Sequence, residues 1–504
     1  MTKLKRTMTM LIALLMLVPT LASCSNNTPA ETKETTAQQE TAQTAESTDA
    51  SADESETEDE RIKPNIPESA DFGGDDITFL HWYNPAWTET VRQSRDIYAE
   101  GITGEAINDA VYNRNVKIED AYKVKIALQL EQSTDIASMV GQQVTAGDST
   151  YDVVYQILSA APALIQKSYF HNLFNVPNID LEKPWWDQNS ISSLSTMGIL
   201  PLVSTSINVN DKDATAALAF NKTIASNNQL EDLYTLVREG KWTYDKYLEM
   251  NVGVARDLDG NGEVSLEDSF GSIYYDDLSF DNFHNAFDYS YTVKNDDGSI
   301  SLDLDEQIMV DTYEKIRSLA YENPDVYYNK GGKVEGTIDV FTQNRALFFA
   351  SVLGDAEKMR DMNSDFGIIP FPKLSEAQEQ YKTTSRDNRS MFCIPTDVKD
   401  ADFAGLITEA LCVASNRGVV PVYYDTVLKG KVARDSESAE MLDIIRSGLN
   451  FDFAAEFAIQ TGRAGFILRD AIYYDKNYTT YYNESKKMFN KAFDRFVSYY
   501  MEEK

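Results

Sequence analysis

Apolar and polar positions along residues 75–160 switch repeatedly between two periods. Ile77-Thr78-Phe79-Leu80 is a short apolar run of strand type. Ile107, Val111, Ile118 and Tyr122 then share one helical face, and Val124 to Leu130 reads as a second strand. A second helix turns Ile136, Met139, Val140 and Val144 inward, with Ser133 as the expected cap and Gly147 as the stop. Tyr151-Asp152-Val153-Val154-Tyr155 is a third strand. Strand-helix-strand order with short links predicts a mostly parallel sheet covered on both faces. Ligands of such sheets sit beyond the carboxyl ends of the strands. That places Trp82, Tyr83, Trp87, Tyr155 and Gln156 at the edge of a candidate site, the first three in an aromatic loop after the first strand.

The same reading continues to the end of the chain. Residues 199–204 are expected to form a strand, and Ala214 to Asn221 is an apolar strand ending in Asn. Thr243 is placed to cap a helix after Trp242. Asn295-Asp296-Asp297-Gly298 is the turn of a hairpin. In residues 341–372 a small-residue apolar run, 345–353, leads to an amphipathic helix starting near Gly354 and a strand-like run, 366–371, closed by Pro370 and Pro372. Residues 401–416 read as an amphipathic helix. Met488, Ala492, Phe493, Phe496, Val497 and Tyr500 form the apolar stripe of a closing helix.

The N-terminal 74 residues follow other rules. Lys3, Lys5 and Arg6 precede an apolar run, Met10 to Ala22, too short to span a bilayer comfortably, and Leu21-Ala22-Ser23-Cys24 looks like a bacterial lipobox. Residues 1–24 are therefore expected to be a lipoprotein signal peptide, with Cys24 lipidated and the chain anchored to the membrane without a transmembrane helix. Residues 25–74 are rich in Thr, Ala, Gln, Ser and Glu, and are expected to be a disordered acidic tether.

At 504 residues the chain exceeds what one core usually serves, so two lobes are expected. Its net charge of -34 disfavours nucleic acid as a partner. Three cysteines rule out a disulfide-stapled fold, and Cys393 and Cys412 are expected to be buried free thiols. His81, His171 and His284 have no metal-like spacing.

Residues 257–268, DLDGNGEVSLED, carry oxygen ligands at positions 1, 3, 5, 9 and 12, and a Gly at 6. This is the spacing of a calcium loop. Asp257, Asp259, Asn261 and Asp268 are the expected side-chain ligands of a structural Ca2+. Glu263 would give its carbonyl, and Ser265 would act directly or through water. Asp268 stands where EF-hands carry a longer Glu, and the loop resembles those of dockerins and of some sugar-binding proteins.

Asn344-Arg345-Ala346-Leu347-Phe348 followed by Phe366-Gly367-Ile368-Ile369-Pro370-Phe371-Pro372 resembles a signature of extracellular solute-binding proteins of family 1, the lipoproteins of ABC importers. The segment 104–115, the strand ending at Asn221, the Trp242-Thr243 helix start, residues 385–395 and residues 423–442 are similar to further landmarks of that family in the same order. The resemblance implies a type II periplasmic-binding-protein-like α/β fold, with two α/β lobes joined by a multi-strand hinge and a ligand cleft between them. It places lobe 1 at 75–213 and 391–422, and lobe 2 at 214–390 and 423–504. It further implies an extracytoplasmic, lipid-anchored monomer that captures a solute, most readily a carbohydrate, and delivers it to ABC permease subunits. No catalytic residue or catalytic cofactor is expected.

Sugars are held by aromatic faces and by Asp, Asn, Arg and Gln on their hydroxyls. The candidate ligand residues are Trp82, Tyr83, Trp87, Tyr155, Trp185, Trp186, Tyr274, Asp276, Arg386, Asp387 and Tyr423. Two adjacent tryptophans in a loop, Trp185 and Trp186, would need covering by ligand or by the other lobe. The chain lacks a nucleophile elbow, phosphate loop, dinucleotide fingerprint and histidine-zinc motif. A surface-anchored glycoside hydrolase remains the alternative because carboxylates are plentiful, and a peptide or other polar solute remains open within the binding class.

Overall fold

The computed structural model describes residues 62–84, 96–275, 278–304, 307–331, 334–386, 389–425 and 436–502. The strands are β1 (Asp75–Tyr83), β2 (Val124–Gln132), β3 (Val153–Ile157), β4 (Ala216–Asn221), β5 (Phe270–Tyr274), β6 (Thr292–Lys294), β7 (Ile300–Leu302), β8 (Val326–Tyr328), β9 (Ala346–Val352), β10 (Phe366–Ile369) and β11 (Ser390–Cys393). They form two main sheets, ordered β11-β3-β1-β2 and β10-β4-β9-β5-β8, while β6 and β7 make a separate hairpin. In the first sheet β1 runs parallel to β2 and β3, and β11 closes the edge antiparallel to β3. The second is mixed, with β5 parallel to β8 and β9, and β4 antiparallel to β9 and β10.

The helix Ala106–Tyr122 buries Ile107, Val111, Ile118 and Tyr122 as its spacing predicts, and ends in Lys123 at φ 52. The next helix, Ser133–Ala146, ends in Gly147 at φ 67, where glycine carries no Cβ penalty. Ser133 does not cap it. The chain passes straight from β2 into the helix, so the extended residue at the boundary is Gln132 and Ser133 already lies in the first turn. Thr243 does cap its helix, accepting from the Lys246 N–H at 3.4 Å.

Other differences follow from what covers each element. The first strand runs on to Tyr83, taking His81 and Trp82 out of the expected loop, because β2 pairs with it throughout, through Trp82 opposite Glu131 and Tyr83 opposite Gln132. Residues 199–204 form isolated bridges, Ile199 with Thr196 and Val203 with Phe392, rather than a strand. The helix expected near Gly354 is a 3-10 turn, Leu353–Asp355, and one helical turn, Ala356–Met359. The helix Ala401–Ala414 is buried on every side from Phe403 to Val413 and so is not amphipathic. In the closing helix Tyr478–Tyr500, Phe489 takes the core position and Met488 is 53% exposed.

Candidate functional site

Three stretches of chain lie side by side between the sheets, and main-chain hydrogen bonds hold them there. Ala216 N–H donates to the Thr384 carbonyl at 2.9 Å, and Arg386 N–H to that of Ala214 at 3.1 Å. Thr383 N–H donates to the Gly448 carbonyl at 2.9 Å, and Asn450 N–H returns to that of Thr383 at 2.8 Å. The polypeptide leads from the first sheet into β4 through the turn Asn210–Ala214, and back to the first sheet at β11. These crossings therefore form a hinge of several strands.

A cleft of two compartments opens along the hinge, with Ser385 in the wall of both. The larger encloses about 860 Å³ of solvent-open space, and its lining includes Asp187, Asn189, Lys212, Arg389, Asn416, Tyr424, Arg446 and Phe451. The smaller is lined by Asp281, His284, Arg386, Glu456, Phe466 and Arg469, among others. Arg389 and Glu456 form a nearly fully buried ion pair that joins one compartment to the other. Arg389 also lies 4.4 Å over the Phe451 ring, and its Nη1 donates to the Ser385 carbonyl at 2.9 Å. The cleft carboxylates have structural partners. Asp281 accepts from Arg469 Nε at 2.7 Å, and Asp187 caps the helix Gln188–Leu194, accepting from the Ser190 N–H at 2.7 Å. Burial raises the pKa of Asp187, and the Ser190 N–H and the nearby Lys212 and Arg389 pull it back.

Of the sequence-predicted ligand residues, Arg386 lines the cleft, its guanidinium 4.9 Å over Tyr275. Trp87, Asp276 and Asp387 lie outside the described residues, as does Cys24. Trp82 is 2% exposed, and its Nε1 donates to Ser390 Oγ at 2.9 Å, so its ring belongs to the first sheet's core. Tyr83 is half-buried at the end of β1. Tyr155 is buried behind the cleft and touches its wall through Thr205, Oη to Oγ1 at 3.2 Å.

Trp185 and Trp186 need neither ligand nor the other lobe to cover them. Both are buried, and their indole N–H groups donate to the two oxygens of Glu409 at 2.7 and 2.8 Å. Burial raises the Glu409 pKa to about 7, against the opposing pull of the two indoles. Tyr274 is likewise core: its hydroxyl meets that of Tyr247 at 2.6 Å and its ring stacks on Phe280. Tyr423 is buried and donates to Asp213, while the neighbouring Tyr424 faces the cleft. Of the expected aromatic residues, Trp82, Tyr155, Trp185, Trp186, Tyr274 and Tyr423 are thus core and not lining.

Residues that sequence reasoning missed are Asp187, Lys212, Arg389, Tyr424, Arg446 and Glu456. Arg389 stands immediately before the first residue of β11, where a charged side chain next to a wholly buried strand was the available signal.

In the loop after the helix Tyr244–Asn251, carboxylate oxygens of Asp257, Asp259 and Asp268 come within 4.8 Å of one another. Asp257 accepts from the N–H groups of Gly260 and Gly262 at 2.6 and 2.9 Å, and both glycines have positive φ. Asp268 is buried and accepts from Leu258 and Ser265 N–H. Asn261 accepts from the Glu263 N–H, and Glu263 is exposed. The loop is anchored by Arg345, which donates to the carbonyls of Leu266 and Asp268. None of the loop's residues is in the cleft lining.

No protein-family model matches the chain, and neither does any curated protein. Solved structures do. The chain is similar to UspC of M. tuberculosis, at TM-score 0.55 and 12% identity over 83% of this chain and 100% of the other. It is also similar to the ABC substrate-binding protein Lmo0181 from Listeria monocytogenes in complex with cycloalternan, at TM-score 0.52 and 11% identity over 84% and 99%. A family 1 extracellular solute-binding protein from Bifidobacterium longum subsp. infantis matches at TM-score 0.51 and 12% identity, over 84% and 100%. The chain therefore has the two-lobed, type II periplasmic-binding-protein-like α/β fold.

Proposed function

We propose that this chain is an extracytoplasmic solute-binding protein that captures a carbohydrate between its lobes and presents it to the permease of an ABC importer. The observation that carries the reading is the interlobe cleft along a hinge of main-chain-paired crossings, in a fold shared with substrate-binding proteins. Ligand touching both walls binds the closed arrangement better than the open one, and that differential contact drives closure. The sequence at Cys24 supports a lipid anchor, followed by a tether that gives the lobes reach.

Binding without catalysis is favoured over the glycoside hydrolase reading by the commitment of the cleft carboxylates, since Asp281 and Glu456 are paired with arginines and Asp187 caps a helix. A saccharide panel read by thermal shift, with the same mixtures chromatographed afterwards, tests the reading. A stabilising sugar recovered intact supports it, and cleavage products or the absence of any stabilising sugar would refute it.

The loop 257–268 is proposed to hold a structural Ca2+ through Asp257, Asp259, Asn261, Glu263, Ser265 and Asp268. Support comes from the ligand spacing and the convergence of three carboxylates. Full-length protein stripped with EDTA should melt lower than protein with added Ca2+, and equal melting temperatures would reject the site.

A further inference from the structure

The charge of the larger compartment runs against the charge of the chain. Overall, 80 Asp and Glu residues face 46 Lys and Arg, yet among the described residues the charged side chains lining this compartment are Lys212, Arg389 and Arg446 against the carboxylate of Asp187. We infer that the captured saccharide is acidic, carrying a carboxylate or sulfate group, and that Arg446 is the side chain that receives the acid. The inference rests on the carbohydrate-binding reading and narrows it.

The three cations are not equivalent. Arg389 is neutralised by Glu456 and lies over the Phe451 ring. Lys212 is close enough to Asp187 to favour that group's ionised form. Arg446 is different. It stands in the last turn of the helix Ser436–Ser447, exposed, its guanidinium 4.4 Å over the Tyr424 ring, and no carboxylate of the described residues forms an ion pair with it. Tyr424 belongs to the continuation of the buried helix Ala401–Ala414, whereas the helix carrying Arg446 packs against β10 of the second sheet. Tyr424 nonetheless shares one hydrophobic cluster with Leu442 and Ile445 of that helix, so the stacked pair is built on common packing.

The contact with Tyr424 restrains the guanidinium at the cleft wall, where its N–H donors can meet a partner in the cleft. A planar fork of donors matches the two oxygens of a carboxylate or sulfate, which a hydroxyl does not. Asn189 and Asn416 in the same lining offer neutral donors and acceptors for the remaining hydroxyls. A neutral sugar would leave the charge of Arg446 uncompensated as closure removes water, and an anionic one balances it.

The test is calorimetry and thermal shift of full-length protein against trigalacturonate, a chondroitin sulfate disaccharide and maltotriose. The expected result is binding of an acidic probe, the carboxylate and sulfate arms identifying which acid group is read. Arg446→Gln should then weaken that probe by about 10- to 100-fold, with Arg446→Lys recovering part of the loss and the unliganded melting temperature unchanged. Maltotriose binding with neither acidic probe binding overturns the inference and leaves the sugar-binding reading standing. An acidic probe whose affinity is indifferent to Arg446→Gln overturns the assignment of Arg446. If the broad saccharide panel also finds no ligand, the carbohydrate reading itself fails.

Discussion

Replacing Glu409 by Gln should change how stability depends on pH more than it changes stability at any one pH. The carboxylate sits under Trp185 and Trp186, accepting one indole N–H on each oxygen and the Asp180 N–H at 3.3 Å. Burial raises its pKa from 4.5 to about 7. Between those values the folded protein holds a proton that the unfolded chain has released. This contribution is therefore fully present below pH 4.5 and is lost as pH rises through 7. The interval corresponds to about 3 kcal/mol at its full extent. Glutamine does not titrate, but it sets an amide N–H2 against one indole donor and leaves that donor without an acceptor, a cost of about 1–3 kcal/mol. Glu409→Gln should accordingly be less stable than wild type at pH 4.5 and close to it, or more stable, at pH 8. Urea unfolding followed by tryptophan fluorescence across that range measures the difference, in which the other titrating groups cancel. Parallel wild-type and variant profiles would refute the reasoning.

Two further changes test the packing around the cleft. Arg389→Met removes the arginine from its buried ion pair with Glu456 and should cost about 3–5 kcal/mol in denaturant unfolding, much of it recovered by adding Glu456→Gln; a single variant as stable as wild type would remove the pair from the account. Gly405→Ala reverses the usual preference for alanine inside a helix, because the new Cβ would lie 2.1 Å from the Pro177 carbonyl and 3.1 Å from Val176 Cγ1. A destabilisation of about 1–3 kcal/mol is expected in thermal melts, and a gain in melting temperature would contradict the close approach.

Local pattern carried much of the fold. The face shared by Ile107, Val111, Ile118 and Tyr122, the Thr243 cap, the Gly147 stop and the hairpin at Asn295–Gly298 each depend on neighbours within a few residues, and each is found. The site depends on distant partners. Trp185 and Trp186 read as ligand residues in need of cover by a sugar or the other lobe because their acceptor, Glu409, is more than 220 residues away in the chain. Trp82 misled for the same reason: it reads as part of a loop after the first strand, but it lies inside β1 and its bond to Ser390 spans 308 residues. Glu456, which neutralises Arg389, comes from a helix of four residues that no periodicity could announce.

The crossings between the sheets are joined by peptide groups, from Ala216 to Thr384, Arg386 to Ala214 and Thr383 to Gly448. Side-chain exchange leaves peptide hydrogen bonds intact, and only proline removes the donor. Mechanics and recognition are thus written in separate alphabets. The cleft wall at Asn416 or Arg446 is free to diverge toward new solutes while the bending joint stays as it is.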